Sequence, residues 1–440
     1  MTNLFPVCLK QGLFVRVLRT MTDRYDLIVI GGGPAGMMAA GRAGERGQKV
    51  VLLEKKDSLG RKLLMCATGR CNVTNTAPLD LFITAYGGGG HFLRTALETF
   101  DNEKLRLFLL SYGVETVVEN KGRVFPKSQK ADSILKALVT YMHDHQVTIQ
   151  TNSQVLRLKL EGGRISGVET NHGNIFGRNA LVATGGLSYP VTGSTGDGYI
   201  FASAAGHTIL PTYPAIIAFE TEETWVKSLQ GTPLKNVHIA AYQSGRRIAE
   251  QLGEALFTHY GISGPGIMDM SKRIVECLPK GSVQIRIDFK PRHTPEELDT
   301  ILLSQMKRHG SKAMKSCLTF FIPEKLAPVL LNLCNIDPQK KASQITTSER
   351  KRMLNQLKGL HLTCIRHRPI GEAIVTAGGI SLNEVDARTM KSKLLEGLYF
   401  AGEVLDVDGP TGGFNLQAAF STGYLAGDSI DEKYIMYPKN

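Results

Sequence analysis

Long apolar runs are missing from this sequence. No stretch of about 18 consecutive uncharged apolar residues occurs in the chain, which argues against a membrane-spanning helix. A disulfide framework is missing too, because the seven cysteines are an odd number spread from Cys8 to Cys364 of 440 residues. We therefore expect a soluble protein of a reducing compartment, the cytoplasm, with no membrane partner.

Motifs that bind metals or nucleoside triphosphates are absent as well. The sequence contains no H-E-x-x-H, no paired C-x-x-C sets and no P-loop. The N-terminal segment carries Lys10, Arg16 and Arg19 but lacks the charged, apolar and small-residue regions of a secretory signal in their usual order. We predict no metal site, and we interpret residues 1–20 as a loose tail or as a start placed upstream of Met21.

The hydrophobic patterns divide the chain into more than one folded unit. From Tyr25 onward, short β-branched runs alternate with helical spacing, whereas residues 208–289 contain mainly strand-like segments. Helical spacing returns at Thr294-Pro-Glu-Glu, a typical helix start. We predict a discontinuous α/β domain of residues 21–206 and 360–440, a β-rich insert of residues 207–290 and a helical insert of residues 291–359.

The strongest motif is a glycine turn between a predicted strand and a predicted helix. Gly31-Gly32-Gly33-Pro34-Ala35-Gly36 has the G-x-G-x-x-G spacing and directly follows the strand Tyr25–Ile30. Gly31 would permit the tight turn, Gly33 would let the backbone approach a pyrophosphate, and Gly36 would let helix and strand pack closely. The N–H groups and dipole of the helix N-terminus favour an anion there.

An acidic residue ends the second strand of this unit. Glu54 follows the run Lys49–Leu53, about 20 residues beyond the glycine turn, where a carboxylate accepts hydrogen bonds from both hydroxyls of an adenosine ribose. The same carboxylate disfavours a 2′-phosphate. Strand, turn, helix and acid together predict a dinucleotide site, and the fingerprint alone leaves both NAD and FAD open.

Further segments resemble one flavoprotein family, which includes aminoacetone oxidase and the BaiN bile-acid reductases. The resemblance spans nearly everything after Met21. Its motifs beyond the glycine turn are Gly60–Asn75 (GRKLLMCATGRCNVTN), Gly122–Pro126 (GRVFP), Ala183–Pro190 (ATGGLSYP), Thr195–Gly198 (TGDG), Thr258–Pro265 (THYGISGP) and Gly402–Asn415.

The resemblance implies a fold and a set of cofactor residues. The fold is a Rossmann-like FAD-binding domain of the two-dinucleotide-binding-motif type, interrupted by a β-barrel-like domain and a helical domain. Arg70, Cys71 and Asn72 are implied to lie beside the flavin. The residues implied to contact FAD elsewhere are Pro34, Ala35, Lys55, Arg61, Thr184, Gly185, Gly402, Glu403, Gly412, Gly413, Phe414 and Asn415.

The turn before the C-terminal helix has a physical rationale of its own. Gly412 and Gly413 precede a helix predicted from about Asn415, and its positive N-terminal end could face the pyrimidine side of the flavin ring. Reduced flavin is anionic there, so the dipole would stabilise it. Plain helix capping by the two glycines is the alternative.

The family suggests hydride transfer between flavin N5 and a small organic substrate. We expect an NAD(P)H-linked reductase of activated carbon–carbon double bonds, with an amine oxidase that uses oxygen as the alternative. The net charge of +12 leaves open an FAD-dependent tRNA-modifying protein, but the basic residues are spread along the chain and suit an anionic cofactor. A nucleic-acid partner is therefore not our expectation.

A cysteine pair offers a different chemistry. Cys66 and Cys71 form a C-x4-C spacing that resembles the redox disulfide of glutathione-reductase-type enzymes. Such enzymes also need a second dinucleotide fingerprint and an acid–base histidine near the C-terminus, and no histidine follows His367. An FAD-dependent disulfide reductase is thus a further alternative, and Cys71 alone could be a structural thiol.

The sequence does not single out a proton donor. His259 lies in a Gly-rich turn of the β-rich insert, and histidine is a common proton donor in enzymes. Tyr189, Cys71 and Arg123 are the other candidates, and each could equally shape or orient a pocket.

Overall fold

The computed structural model describes residues 24–430. Its strands are β1 (Tyr25–Ile30), β2 (Val50–Leu53), β3 (Thr74–Asn75), β4 (Thr116–Glu119), β5 (Arg123–Pro126), β6 (Thr148–Gln150), β7 (Val155–Glu161), β8 (Arg164–Thr170), β9 (Gly173–Val182), β10 (Ile209–Ala215), β11 (Phe219–Thr221), β12 (Pro233–Gln243), β13 (Arg246–Phe257), β14 (Gly261–Ser263), β15 (Val283–Asp288), β16 (Leu360–His367), β17 (Val375–Ile380) and β18 (Leu398–Phe400).

The α-helices lie between these strands. They are α1 (Pro34–Glu45), α2 (Arg61–Met65), α3 (Leu79–Ala85), α4 (Gly90–Thr99), α5 (Asn102–Ser111), α6 (Ala131–Asp144), α7 (Asp197–Ala204), α8 (Pro265–Cys277), α9 (Pro295–Arg308), α10 (Met314–Leu318), α11 (Leu326–Leu333), α12 (Thr347–Lys358) and α13 (Phe414–Asp428). The prediction for residues 1–20 lies outside the described residues. None of the helices within residues 24–430 has both the length and the hydropathy that crossing a membrane requires.

A mainly parallel sheet forms the first domain. Its order is β6-β2-β1-β9-β8-β7, and β18 also pairs with β9. Leu27, Ile28 and Val29 of β1 are fully buried, as expected for a parallel strand covered on both faces. Helix α13 packs along α1, where Arg42 Nη2 donates to Asp428 Oδ1 at 2.6 Å. The predicted α/β fold with a Rossmann-like parallel sheet is confirmed.

The β-rich insert closes into an antiparallel barrel of order β11-β14-β13-β12-β15-β16. Strand β16 pairs with both β15 and β11, so Leu360–His367 belongs to the barrel. The prediction that residue 360 returns the chain to the nucleotide-binding domain was wrong, because strand periodicity shows that a strand exists but not which strand it pairs with. The antiparallel pair β10–β17 joins barrel and sheet.

The helical segment α9–α12 is inserted between β15 and β16. Thr294 caps α9 with a capping box to Glu297, as its sequence predicts. Leu298 and Met353 share one buried cluster with Ile285 of the barrel. Barrel and helices therefore form a common hydrophobic core.

Two helical segments could not be located from the sequence alone. Residues Phe92–Tyr112 have continuous helical spacing but lie in two helices, α4 and α5, because the side chain of Asp101 accepts from Lys104 N and starts α5. Helix α8 was not predicted within the β-rich insert. Its buried Ile267, Met270 and Ile274 follow helical spacing and pack on the barrel core.

Candidate active site

A cavity of about 570 Å³ lies at the carboxyl ends of the parallel strands, facing the barrel. This edge is the usual ligand position in such sheets. The predicted cofactor residues that line the cavity are Gly31, Gly33, Pro34, Ala35, Glu54, Lys55, Arg61, Asn72, Thr184, Gly185, Gly402, Glu403, Gly412, Gly413 and Asn415. The cavity lining does not include Gly36, Arg70, Cys71 or Phe414.

The glycine turn has the geometry that its spacing predicts. Gly31 has φ +109°, and a Cβ there would lie 2.6 Å from the carbonyl oxygen of Ala183. A Cβ on Gly36 would clash with the carbonyl oxygen of Gly31, so helix and strand approach closely. A Cβ on Gly33 would meet no protein atom within 4 Å, which leaves open space over the start of α1.

The end of α1 offers donors, and Glu54 borders it. Helix α1 begins after Gly33 without a side-chain cap, so its first-turn N–H groups remain available to an anion. Glu54 Oε2 accepts from Gly32 N and Oε1 accepts from Lys56 N, each at 2.8 Å. These bonds fix the carboxylate beside the turn, and its remaining lone pairs can still accept hydroxyl donors.

Two of the three predicted cationic contacts, Lys55 and Arg61, are paired with carboxylates. Lys55 Nζ donates to Asp197 Oδ2 at 2.7 Å and to Thr195 Oγ1 at 2.5 Å. Arg61 forms an ion pair with Asp57, which lies four residues earlier in the loop before α2. Both side chains line the cavity, but their charges are partly compensated by these carboxylates.

Glu403 is the centre of a polar network that the sequence did not predict. Its Oε2 accepts from Lys62 Nζ at 2.6 Å, and its Oε1 accepts from Ser188 Oγ and Thr376 N, each at 2.9 Å. Lys62 Nζ also donates to Ser188 Oγ at 2.5 Å. Lys62 and Ser188 lie in the Gly60–Asn75 and Ala183–Pro190 motifs, which were the available signal.

The turn before α13 is held from both sides. Gly413 has φ +100°, and a Cβ there would clash with Thr74 O. Asn415 Nδ2 donates to Gly409 O at 2.8 Å while its Oδ1 accepts from Gly409 N at 2.9 Å. Phe414 points away from the cavity lining and packs 4.8 Å from the ring of Phe82. Helix α13 has no side-chain cap, so its N-terminal N–H groups are free at the cavity.

Of the three residues implied to lie beside the flavin, Asn72 alone lines the cavity. The Oδ1 atom of Asn72 is buried with no hydrogen-bond partner among the described residues. Arg70 stacks on Phe125 at 4.1 Å and pairs with Glu119, behind the cavity wall. Cys71 is fully buried.

The candidate proton donors lie in two different places. Tyr189 and Arg123 line the cavity. Tyr189 has φ +51°, a left-handed conformation that costs a non-glycine residue free energy, and its N–H donates to Gly371 O at 3.1 Å. Burial, followed by the nearby Cys66 and Glu372, raises the pKa of its phenol. His259 lies instead in a separate surface depression on the barrel, beside Arg368.

Apolar side chains from the barrel side complete the cavity. Ile216, Met268 and Ile374 line it, and Met65 joins them from α2. These residues could not be predicted from local patterns, because the wall depends on how α8 and β17 pack against the parallel sheet. The cavity thus combines donors for an anion with an apolar surface.

Comparison with known proteins agrees with this arrangement. Residues 25–429 match the family described as HI0933-like protein Rossmann domain. The 3-dehydro-bile acid delta(4,6)-reductase of Clostridium scindens is 31% identical over 408 residues, covering 92% of this chain and 98% of the relative. The ribosomal RNA dihydrouridine synthase of Escherichia coli is 30% identical over 413 residues, covering 93% and 98%.

Solved structures share the fold. The 3-ketosteroid delta1-dehydrogenase of Sterolibacterium denitrificans superposes with a TM-score of 0.53 at 14% identity, covering 93% of this chain and 99% of that protein. At this identity the likeness concerns the fold alone.

Proposed function

This chain belongs to the HI0933-like family and is an FAD-dependent oxidoreductase, and we propose that it reduces a carbon–carbon double bond conjugated to a carbonyl group in an apolar small molecule. The observation that carries the proposal is the apolar wall of Met65, Ile216, Met268 and Ile374 in the same cavity as the glycine turn. Such a wall suits a substrate with a large hydrocarbon surface.

The cavity residues fit FAD. The open space above Gly33 and the uncapped start of α1 would receive the pyrophosphate, and Glu54 would receive the adenosine ribose. The uncapped start of α13 after Gly413 offers N–H donors at the other end of the cavity, suited to the flavin ring. Bound FAD would supply the hydride for the reduction.

The names of both curated relatives support a common chemistry. One is a reductase of 3-dehydro-bile acids and the other makes dihydrouridine, the form of uridine that has gained two hydrogens across a ring double bond. In a bond conjugated to a carbonyl, the hydride is accepted at the distal carbon and a proton is needed at the adjacent one. This chain would therefore need a proton donor and a donor to the carbonyl oxygen.

Three cavity side chains can fill those roles. Burial holds the pKa of Tyr189 above its ordinary value, so the phenol keeps its proton at neutral pH and can give it to carbon. Arg123 and Lys62 can donate hydrogen bonds to a substrate carbonyl. The apolar wall excludes water, which strengthens such bonds.

We assign NAD(P)H as the electron donor in this proposal. The test is to mix the FAD-loaded protein with NADH or NADPH without oxygen, and then to add a 3-keto bile acid with a conjugated double bond. The proposal expects bleaching of the flavin, its return to yellow with the conjugated substrate, and a product that has gained two hydrogen atoms. An analogue whose double bond is not conjugated is the control and should not reoxidise the flavin.

The amine-oxidase alternative gives a different result. A primary amine would bleach the flavin, and air would restore the colour with one equivalent of hydrogen peroxide. That outcome, without turnover of the conjugated substrate, would overturn the reductase proposal.

A second candidate function is reduction of a uridine in ribosomal RNA. It is favoured by the Escherichia coli relative and by the net charge of +12. It predicts an RNA complex whose affinity falls steeply with salt, and two added hydrogens on one uridine of RNA that lacks the modification. Turnover of RNA without turnover of the bile acid would replace the first proposal by the second.

A further inference from the structure

Two thiols meet in the wall of the cavity. Cys66 follows α2 and lines the cavity, and Cys71 is fully buried next to it. The N–H of Cys71 donates to the carbonyl oxygen of Cys66 at 3.0 Å, and the two thiols are near enough for each to affect the pKa of the other. This pairing brings the residues toward the Cα separation of about 4.4–6.8 Å that a disulfide spans.

The loop between the thiols has an unusual backbone. Ala67, Thr68 and Cys71 have φ values of +48°, +56° and +62°, in the left-handed region that favours glycine. The β-branched Thr68 is a marked exception there. Such conformations are unfavourable for residues other than glycine and persist where the surroundings hold them. Here they lie in the segment that brings the two cysteines together.

The electrostatics distinguish the two sulfurs. The neighbouring thiol of Cys71 lowers the pKa of Cys66, helped by the N–H of Asn72 and the charge of Lys62 against the opposing effect of burial. The thiol of Cys66 and burial raise the pKa of Cys71. Together with its position in the cavity lining, this difference favours Cys66 over the buried Cys71 as the attacking sulfur.

The other described cysteines have a different environment. Cys277, Cys317, Cys334 and Cys364 are buried in the common core of barrel and helices. Burial raises the pKa of Cys334 to about 11 and also raises those of Cys317 and Cys364. Among residues 24–430, Cys66 is the cysteine that both lines the cavity and has a lowered thiol pKa.

We propose that Cys66 and Cys71 form a redox-active dithiol whose oxidising substrate is a small disulfide. The Cys66 thiolate attacks one sulfur of the disulfide, the sulfur–sulfur bond breaks, and one thiolate leaves. Cys71 then attacks the Cys66 sulfur of the mixed disulfide, and its proton departs with the second thiol. The external disulfide is reduced to two thiols, and the protein gains a Cys66–Cys71 disulfide. The exchange requires neither the flavin nor double-bond reduction.

The test uses the fully reduced wild-type protein and oxidised glutathione without oxygen. After alkylation of free thiols, tryptic cleavage after Arg70 separates the two cysteines, so a bridge appears as two linked peptides. The expected product is that linked pair, formed at least about tenfold faster than glutathione reacts with Cys277, Cys317, Cys334 or Cys364. Denatured protein is the control, in which these differences should vanish.

Single substitutions order the two steps. Cys71→Ser should trap glutathione on Cys66, whereas in Cys66→Ser the buried Cys71 should remain a thiol. The proposal is overturned if wild-type protein accumulates glutathione on Cys66 without forming the bridge, or if Cys66 reacts no faster than the core cysteines. The bridge and the reaction rates in wild-type protein test the proposal even where a variant fails to fold. Protein without bound flavin can be used in the same measurement.

Discussion

Lys62 Nζ donates a hydrogen bond to Glu403 Oε2 at 2.6 Å, across 341 residues of sequence. This contact joins the segment after the first βαβ unit to the segment after the last parallel strand. Because Glu403 also accepts from Ser188 and Thr376, it is the shared acceptor of three parts of the chain. The network lies in the cavity wall, so its integrity affects both folding and the site.

Removing the shared acceptor Glu403 should lower the free energy of unfolding more than removing one of its donors, Lys62. Glu403→Leu leaves three donors without their acceptor, and we expect a loss of about 2–4 kcal/mol in the free energy of unfolding. Lys62→Met leaves the carboxylate with two donors and should cost about 1–2 kcal/mol. Urea denaturation without added flavin measures both. Lys127→Met, which removes an exposed pair with Glu115, is the control and should have no measurable effect.

Two glycines of one turn should respond differently to alanine. Gly33 has φ −82° and open space around its Cβ position, so Gly33→Ala should change stability by less than about 0.5 kcal/mol. The new methyl group would occupy the pyrophosphate position, and we expect FAD binding to weaken at least about tenfold. Calorimetric titration of flavin-free protein with FAD measures the affinity.

Gly36→Ala is the matched comparison. Its methyl group would clash with the Gly31 carbonyl, so this variant should lose about 3 kcal/mol or more of stability. The assignment of the turn would be wrong if Gly33→Ala bound FAD normally or if Gly36→Ala were as stable as wild type.

Local signals predicted much of this site. The turn Gly31–Gly36 and Glu54 depend on residues adjacent in sequence, and the structure places the two side by side with Gly32 N bound to Glu54. The Lys62–Glu403 pair could not be predicted in this way, because the two residues are 341 positions apart and nothing in either motif shows that their side chains meet.

The sequence also does not show how one domain packs on another, and part of the cavity wall depends on that packing. Ile216 and Met268 belong to the β-rich insert, yet they line the cavity because the insert packs against the parallel sheet. His259 was a candidate acid because of its Gly-rich turn, but it lines a separate depression. Sequence patterns indicate the helix or strand to which a residue belongs and whether its side chain is buried. They do not show which other part of the chain that side chain contacts.

The contact between α1 and α13 predicts a pH dependence. Burial alone would raise the pKa of Asp428, but the hydrogen bonds and charge of Arg42 outweigh burial and hold it below its ordinary value. A lowered carboxyl pKa contributes stability that is present above the unfolded-state pKa of about 3.9 and is lost as pH falls through the folded value. The stabilisation should therefore disappear in acid.

Asp428→Asn tests this. We expect a loss of about 1 kcal/mol near neutral pH and convergence with wild type as the pH falls through the lowered pKa of Asp428. Urea denaturation over this range gives both numbers. An equal deficit at every pH would mean that packing, and not the ion pair with Arg42, explains the loss.

Tyr189 and His259 form the last comparison. If Tyr189 gives the proton, Tyr189→Phe should bind FAD normally and accept electrons from NAD(P)H, yet lower the rate of double-bond reduction by about 100-fold. His259→Gln should change that rate by less than about twofold, because His259 lies outside the cavity. Stopped-flow measurement of flavin reoxidation separates the step that needs the proton from the step that does not.

The pH profile gives an independent check on the same residue. An acid works only while protonated, and burial raises the pKa of Tyr189 above its ordinary value of about 10. Wild-type reoxidation should therefore stay constant through neutral pH and fall only above about pH 10, whereas Tyr189→Phe should show no such fall. A wild-type rate that declines between about pH 6 and 8 would assign the proton to a different group, because a phenol in this environment is fully protonated there.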